Sequence, residues 1–194
     1  VYLISHTHWD REWYRTFQQF RLDLVRTLDL VLDTLESDSS FPHFLLDGQT
    51  IVIDDYLAMR PQREEALRRQ IAAGRLAVGP WYCHPDLFLV SGESIVRNLM
   101  LGLRMARSYG RSLLVGYMPD QFGHTGQLPQ ILRAAGIESA VLWRGVNMRA
   151  TRNESWWEAP DGSRVFLEAL AQGYGNAQLL PNEPAALAER LRQL

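Results

Sequence analysis

Val1-Tyr2-Leu3-Ile4-Ser5-His6-Thr7-His8-Trp9-Asp10 opens the chain, and its reading decides the fold. The run over residues 1–5 is short, apolar and β-prone, which predicts a buried parallel strand. Two histidines and a carboxylate follow at the strand's carboxyl end, where α/β folds place their sites. In extended backbone, side chains at i and i+2 share a face, so His6, His8 and Asp10 point the same way. Imidazole nitrogens with a carboxylate oxygen form a ligand set for a zinc-like ion. The competing reading is a structural polar cluster, since many His-x-His pairs are only hydrogen-bonded in a loop.

Outward from this stretch, strands and helices alternate. A helix is predicted from about Thr16 to Glu36, with Phe20, Leu24, Leu28, Val31 and Leu35 on one stripe. Phe41 to Leu46 reads as a second strand, closed by Asp47-Gly48. Asp47 is either a cap for the next helix or a second site carboxylate. Thr50 to Met59 reads as a short helix, and Pro61 suits the first turn of another, which runs to Ala73 and stops at Gly74. Leu76-Ala77-Val78 begins a third strand, followed by a loop rich in aromatic and polar groups that contains Trp81, His84 and Asp86. Ser91 can cap a helix reaching Tyr109, with Glu93 at its positive end.

Leu113 to Tyr117 reads as a fourth strand, and Asp120 follows it closely. Leu128 to Ala135 is a helix stopped by Gly136. Ser139 to Trp143 is a fifth strand with Arg144 just past its end. Residues 154–158 and 164–168 flank Pro160-Asp161-Gly162-Ser163 and suggest a hairpin, or a crossing strand and a sixth core strand. Asn182 is predicted to cap a final helix over residues 183–194. This alternation implies a parallel sheet with right-handed crossovers. Chemically rich residues recur after the strands, which favours a β/α barrel whose strand ends share one mouth.

Composition narrows the function. The chain has 194 residues, 46% of them hydrophobic, enough for one domain with a core. A formal net charge of -2 argues against a nucleic-acid surface. Every basic side chain among the Lys and Arg residues is Arg, which reads as codon usage of a GC-rich genome. No apolar run is long enough to span a bilayer. The single Cys83 excludes an internal disulfide and suits a reducing compartment, the bacterial cytoplasm. The chain opens inside a predicted strand without an initiator Met and closes inside a predicted helix. It is therefore expected to be an excised part of a larger multidomain protein, with residues 1–194 forming one catalytic domain. A homo-oligomer is left open.

Six Trp and seven Tyr is high for this length. Most buried Trp side chains are core, yet aromatics beside carboxylates also suit sugars, whose C–H faces stack on rings while their hydroxyls bond the carboxylates. Asp120 is a candidate site residue or a loop aspartate. His124 beside it reads as structural rather than ligating.

Three ordered motifs carry a resemblance. His6-Thr7-His8-Trp9-Asp10-Arg11-Glu12-Trp13, the stretch from Gly79-Pro80-Trp81-Tyr82 to Ser91-Gly92-Glu93-Ser94, and Gly116-Tyr117-Met118-Pro119-Asp120-Gln121-Phe122-Gly123-His124 together resemble the catalytic domain of family 38 glycoside hydrolases, the α-mannosidases. The resemblance is closer to the bacterial branch, which includes mannosylglycerate hydrolases. It implies a distorted seven-stranded β/α barrel, here partial, and one catalytic Zn2+. It implies that His8, Asp10 and Asp120 bind the zinc, with His6 behind them, and that Asp120 is also the nucleophile of a retaining mechanism. Arg144 matches an arginine that orients the nucleophile. Trp13 and Phe122 match aromatics beside the bound mannose, and Trp81 and Asp86 fall at the expected sugar-binding mouth. The fourth zinc ligand and the general acid are expected after Leu194, so the isolated stretch is expected to be inactive on ordinary α-mannosides. Metal-dependent carbohydrate deacetylases, with a similar barrel and an Asp-His-His site, are the rival enzyme reading. A sugar-binding relative that has lost catalysis is the rival from another class.

Overall fold

The computed structural model describes residues 2–147 and 152–193. Among the described residues there are seven strands, in two sheets. The first is β1 (His6–Thr7), β2 (Phe44–Leu46) and β3 (Leu76–Ala77), all parallel and in that spatial order. The second runs β4 (Gly116–Met118), β5 (Ser139–Leu142), β7 (Arg164–Ala169), β6 (Glu154–Glu158). There β4, β5 and β7 are parallel, and β6 pairs antiparallel with β7 as a hairpin. The α/β class read from the sequence therefore holds. The closed seven-stranded barrel does not, because among the described residues no ladder joins the two sheets into a ring. The strands that would have to meet across the gap, β1 to β4, are only two or three residues long and carry few ladder hydrogen bonds.

Helices cover the sheets as the periodicity requires. The longest, α1 (Phe17–Ser37), begins where the Gln19 side chain accepts the Thr16 backbone N–H at 3.1 Å. Its stripe of Phe20, Leu24, Leu28, Val31 and Leu35 is buried, as the spacing predicts. That stripe packs on α2 (Ile51–Leu57) and α3 (Glu64–Ala72), whose Val52, Ile53, Tyr56, Leu67 and Ile71 share one core with Leu46 and Leu76 of the sheet. A second core lies around α4 (Gly92–Ser108) and α5 (Leu128–Ala134), which place Leu99, Leu103, Leu128 and Leu132 against Met118, Leu142 and Val165. None of the described helices is long and apolar enough to cross a membrane.

Three sequence expectations need correcting. The strand predicted over residues 1–5 starts later: pairing begins with the Leu45 N–H on the Ser5 carbonyl, and Val1 lies outside the described residues. Tyr2, Leu3 and Ile4 precede β1 and are exposed by 98%, 51% and 70%, with neither core cluster reaching them. The last helix, α6 (Pro184–Arg192), has Glu183 rather than Asn182 at its N-cap, without a side-chain cap bond. Pro184 suits that first turn because its missing N–H would have had no partner there. Finally, Trp81, expected at the sugar, is fully buried in the second core, and its indole N–H donates to the Tyr117 carbonyl at 3.1 Å. A side chain with no exposed surface cannot stack on a ligand.

Helix α4 positions the loop that follows β3. Ser91 caps it by accepting the Ser94 N–H at 3.2 Å. Nearly two turns in, the Asn98 amide accepts the Tyr82 N–H at 2.9 Å and donates to the Cys83 carbonyl at 2.8 Å. At Gly102 the helix rests directly on that loop, where a Cβ would fall 2.2 Å from the Pro80 carbonyl oxygen. Backbone on both sides leaves nothing to rotate away. Gly102→Ala should therefore destabilise the chain by about 3 kcal/mol, the upper end for overpacking. The check is the denaturant midpoint, with Gly92→Ala, where a Cβ meets nothing within 4 Å, as the neutral control.

Candidate functional site

The turn after β2 builds the base of the site. Asp47 and Gly48 both adopt left-handed backbone, at φ 50° and 68°. Asp tolerates that region better than most residues. Gly48 needs it for a second reason, since a Cβ there would fall 2.8 Å from the Tyr117 ring. The turn drives the Asp47 carboxylate under the first motif, with no exposed surface. One of its oxygens lies 3.1 Å from His8 Nδ1, and the other accepts the Trp9 N–H at 2.7 Å and the Gln49 amide at 2.6 Å. Asp47 is thus not a helix cap; it orients His8.

With Nδ1 on Asp47, the far nitrogen of His8 faces the cleft. His8 Nε2 is buried and has no hydrogen-bond partner. It lies 3.6 Å from a carboxylate oxygen of Asp10 and 3.6 Å from one of Asp120, too far for hydrogen bonds. Burial pushes the His8 imidazole down, but Asp10 and Asp47 outweigh it and raise it to about 10. His8 in turn holds Asp10 below the usual carboxylate range. A buried imidazole pulled this far up marks a position between carboxylates that favours a cation.

A second group of ligand atoms, from His8, Asp47 and His84, lies within 4.8 Å of one another. It fits a cation less well. Both Asp47 oxygens are already engaged by His8, Trp9 and Gln49. The His8 Nε2 side has no such engagement and opens on the cleft.

Asp120 follows β4 and reaches the same place. Arg144, just past β5, donates from Nε to Asp120 Oδ1. Its guanidinium is held between the Phe122 and Trp143 rings, 4.4 and 4.1 Å from their centroids. The Tyr174 hydroxyl approaches Asp120 Oδ2 at 3.5 Å, and the Tyr174 ring packs 4.9 Å from His8. His6 donates from Nε2 to the Tyr174 carbonyl at 2.8 Å, so it holds the cleft wall.

The cleft has a volume of about 450 Å³ and is lined by His8, Asp10, Trp13, Tyr14, Tyr174 and neighbours. Trp13 is 74% exposed there. Phe122 is half-exposed with Arg144 on one face. Asp86 is exposed and accepts the Phe122 N–H at 3.0 Å, so it ties two loops together. His124 packs edge-on against Trp157, and burial pushes its imidazole down, in keeping with a structural histidine.

The structure thus brings His8, Asp10 and Trp13 to the lining of one cleft, sets Asp120, held by Arg144, 3.6 Å from His8 Nε2, leaves Asp86 in its contact with the Phe122 loop and buries Trp81. Sequence reasoning left the role of Asp47 open and missed His84 and Tyr174. Gly173-Tyr174-Gly175 carries no periodicity that could have marked it. His84 could have been flagged only as a histidine in a loop after a strand.

The match to the family model for the glycosyl hydrolases family 38 N-terminal domain runs over residues 1–194. The chain belongs to this family. A putative mannosylglycerate hydrolase of Halalkalibacterium halodurans is 43% identical over 94% of this chain and 22% of its own length. The human alpha-mannosidase 2C1 is 27% identical over 86% of this chain and 16% of its own length. The crystal structure of an alpha-mannosidase from Enterococcus faecalis superposes with a TM-score of 0.94 at 40% identity, over 98% of this chain and 22% of that one. A 4-alpha-glucanotransferase from Thermococcus litoralis shares the fold alone, with a TM-score of 0.72 at 16% identity. The chain spans about a fifth of the length of the first relatives it matches.

His84 makes the family domain acid-sensitive in a defined window. Its side chain is 7% exposed, and burial pushes the imidazole down to about 4. The unfolded chain takes up this proton near pH 6.5, while the folded chain does so only near pH 4. Stability should therefore be full above about pH 6.5, fall as pH drops towards 4, and change no further from this group below that. Denaturant midpoints measured across that window should fall less steeply for His84→Gln than for the wild type.

Proposed function

We propose that the protein is a zinc-dependent retaining α-mannosidase that uses this cleft. The observation that carries the reading is His8 Nε2, buried without a hydrogen-bond partner and 3.6 Å from both Asp10 and Asp120. Donor atoms around a tetrahedral zinc sit about 3.4 Å apart, so this spacing fits. The Asp47–His8 contact adds the carboxylate that orients a metal-binding imidazole through its other nitrogen. His8, Asp10 and Asp120 would hold the ion, which supplies Lewis acidity and a binding point for two neighbouring sugar hydroxyls. Family membership and the α-mannosidase relatives support the substrate class.

The chain's own residues do the rest. Trp13 presents an exposed indole face to the hydrophobic side of the sugar ring. Arg144, braced by Phe122 and Trp143, fixes the Asp120 carboxylate through its Nε. Asp120 attacks the anomeric carbon as the bond to the leaving oxygen breaks, and water then cleaves the glycosyl ester. The resemblance assigns the proton for the leaving oxygen to a later aspartate. The same reading extends the two sheets into the family's barrel in the whole protein and includes a bacterial cytoplasmic location, for which the support is the single cysteine, Cys83, within residues 1–194.

The test uses the full-length protein and an α-mannoside whose leaving group needs no proton. Chelation should abolish turnover and zinc should restore it. Asp120→Ala should lower kcat by at least about 10³-fold, as losing a covalent nucleophile does. Near-native turnover in either experiment overturns the assignment. Hydrolysis of an N-acetylated sugar with no mannoside turnover would support the deacetylase instead.

A further inference from the structure

Among the described residues no hydrogen bond fixes the Asp10 carboxylate, which only approaches His8 Nε2 at 3.6 Å, yet both of its chain neighbours are tethered. On one side the Trp9 N–H donates to Asp47 at 2.7 Å and the Trp9 carbonyl accepts from Gln49 at 2.8 Å. On the other side the Arg11 guanidinium forms a two-pronged contact with Asp55, with Nε 2.7 Å from Oδ2 and Nη2 2.9 Å from Oδ1. Asp55 is 6% exposed on α2, and Val52, Ile53 and Tyr56 of the same helix are fixed in the first core. The Arg11 guanidinium also lies 4.8 Å from the centroid of the Phe17 ring at the start of α1. Residues 47 to 55 thus hold the chain on both sides of Asp10.

We propose that the Arg11–Asp55 fork is a positioning device that aims the Asp10 carboxylate at His8 Nε2 and thereby sets the affinity of the site for its cation. This deepens the zinc reading above and rests on it. An exposed ion pair contributes little, but a planar fork on a buried carboxylate fixes direction as well as distance. Asp10 is half-exposed and lies one residue away, so a swing of the loop at Arg11 translates directly into a displaced ligand.

The experiment measures zinc dissociation constants by chelator competition in the full-length protein, for wild type, Arg11→Lys, Asp55→Asn and the double variant. Arg11→Lys keeps the charge and loses the fork. Each single variant should bind zinc about 10- to 100-fold more weakly, the range for groups that orient metal ligands. The cobalt-substituted protein should show a shifted visible spectrum in each variant. The double variant should lose no more than the worse single one, because both act through one contact. A structural brace without a positioning role would lower the denaturation midpoint and leave affinity and spectrum unchanged, and that result overturns the proposal. Additive losses overturn it as well. If Asp55→Asn does not fold, Arg11→Lys, which leaves Asp55 facing a cation, decides alone. A wild type that takes up no zinc overturns the metal reading and this inference together; equal binding by wild type and variants overturns this inference alone.

Discussion

The contact between Asp47 and His8 Nδ1 is the interaction on which the rest depends. It commits one imidazole nitrogen to the protein and leaves the other for the cleft. It also explains the left-handed turn at Asp47-Gly48, which places a carboxylate under the first motif rather than out in solvent. A buried carboxylate is costly unless its oxygens are engaged. Here His8, Trp9 and Gln49 engage both, so the group that orients the histidine also fixes the backbone next to Asp10.

The two sheets meet the site from different sides. The first brings His8 and Asp10 past β1 and Asp47 past β2, and the second brings Asp120 past β4 and Arg144 past β5. Short strands suffice because the helices carry the burial: α1, α2 and α3 form one core, and α4 and α5 the other. Seams between the sheets are made by side chains. The His6 ring lies edge-on to Tyr117 at 6.5 Å, and Tyr174 packs against both His6 and His8. The geometry of the candidate site is therefore a property of packing between sheets, and among the described residues no hydrogen-bond ladder joins them.

Much of this was legible. Helix α1 and its buried stripe followed from spacing, and the strand–helix alternation produced the α/β class. His6, His8, Asp10, Asp120 and Arg144 could be nominated because each follows an apolar run, and only the family resemblance ranked His8 above His6. What failed, failed for physical reasons. The apolar character of residues 1–5 says that burial would be favourable there, not that a second strand is present to supply it. Trp81 lay among polar residues in a loop, and only the seating of α4 on that loop drew its ring into the core. Tyr174 and His84 lie on loops without periodicity, and nothing local indicates which surface such a loop meets.

The sequence by itself determined which side chains could do chemistry and roughly where the elements run, because side-chain type and hydrophobic period are local properties. Tertiary structure alone decided which nitrogen of His8 faces the cleft, that Asp47 supports it, that the Arg144 guanidinium reaches Asp120, and that the strands of the described residues form two sheets. Those outcomes depend on residues tens of positions apart meeting at hydrogen-bond distance, and a linear pattern carries no record of such distances.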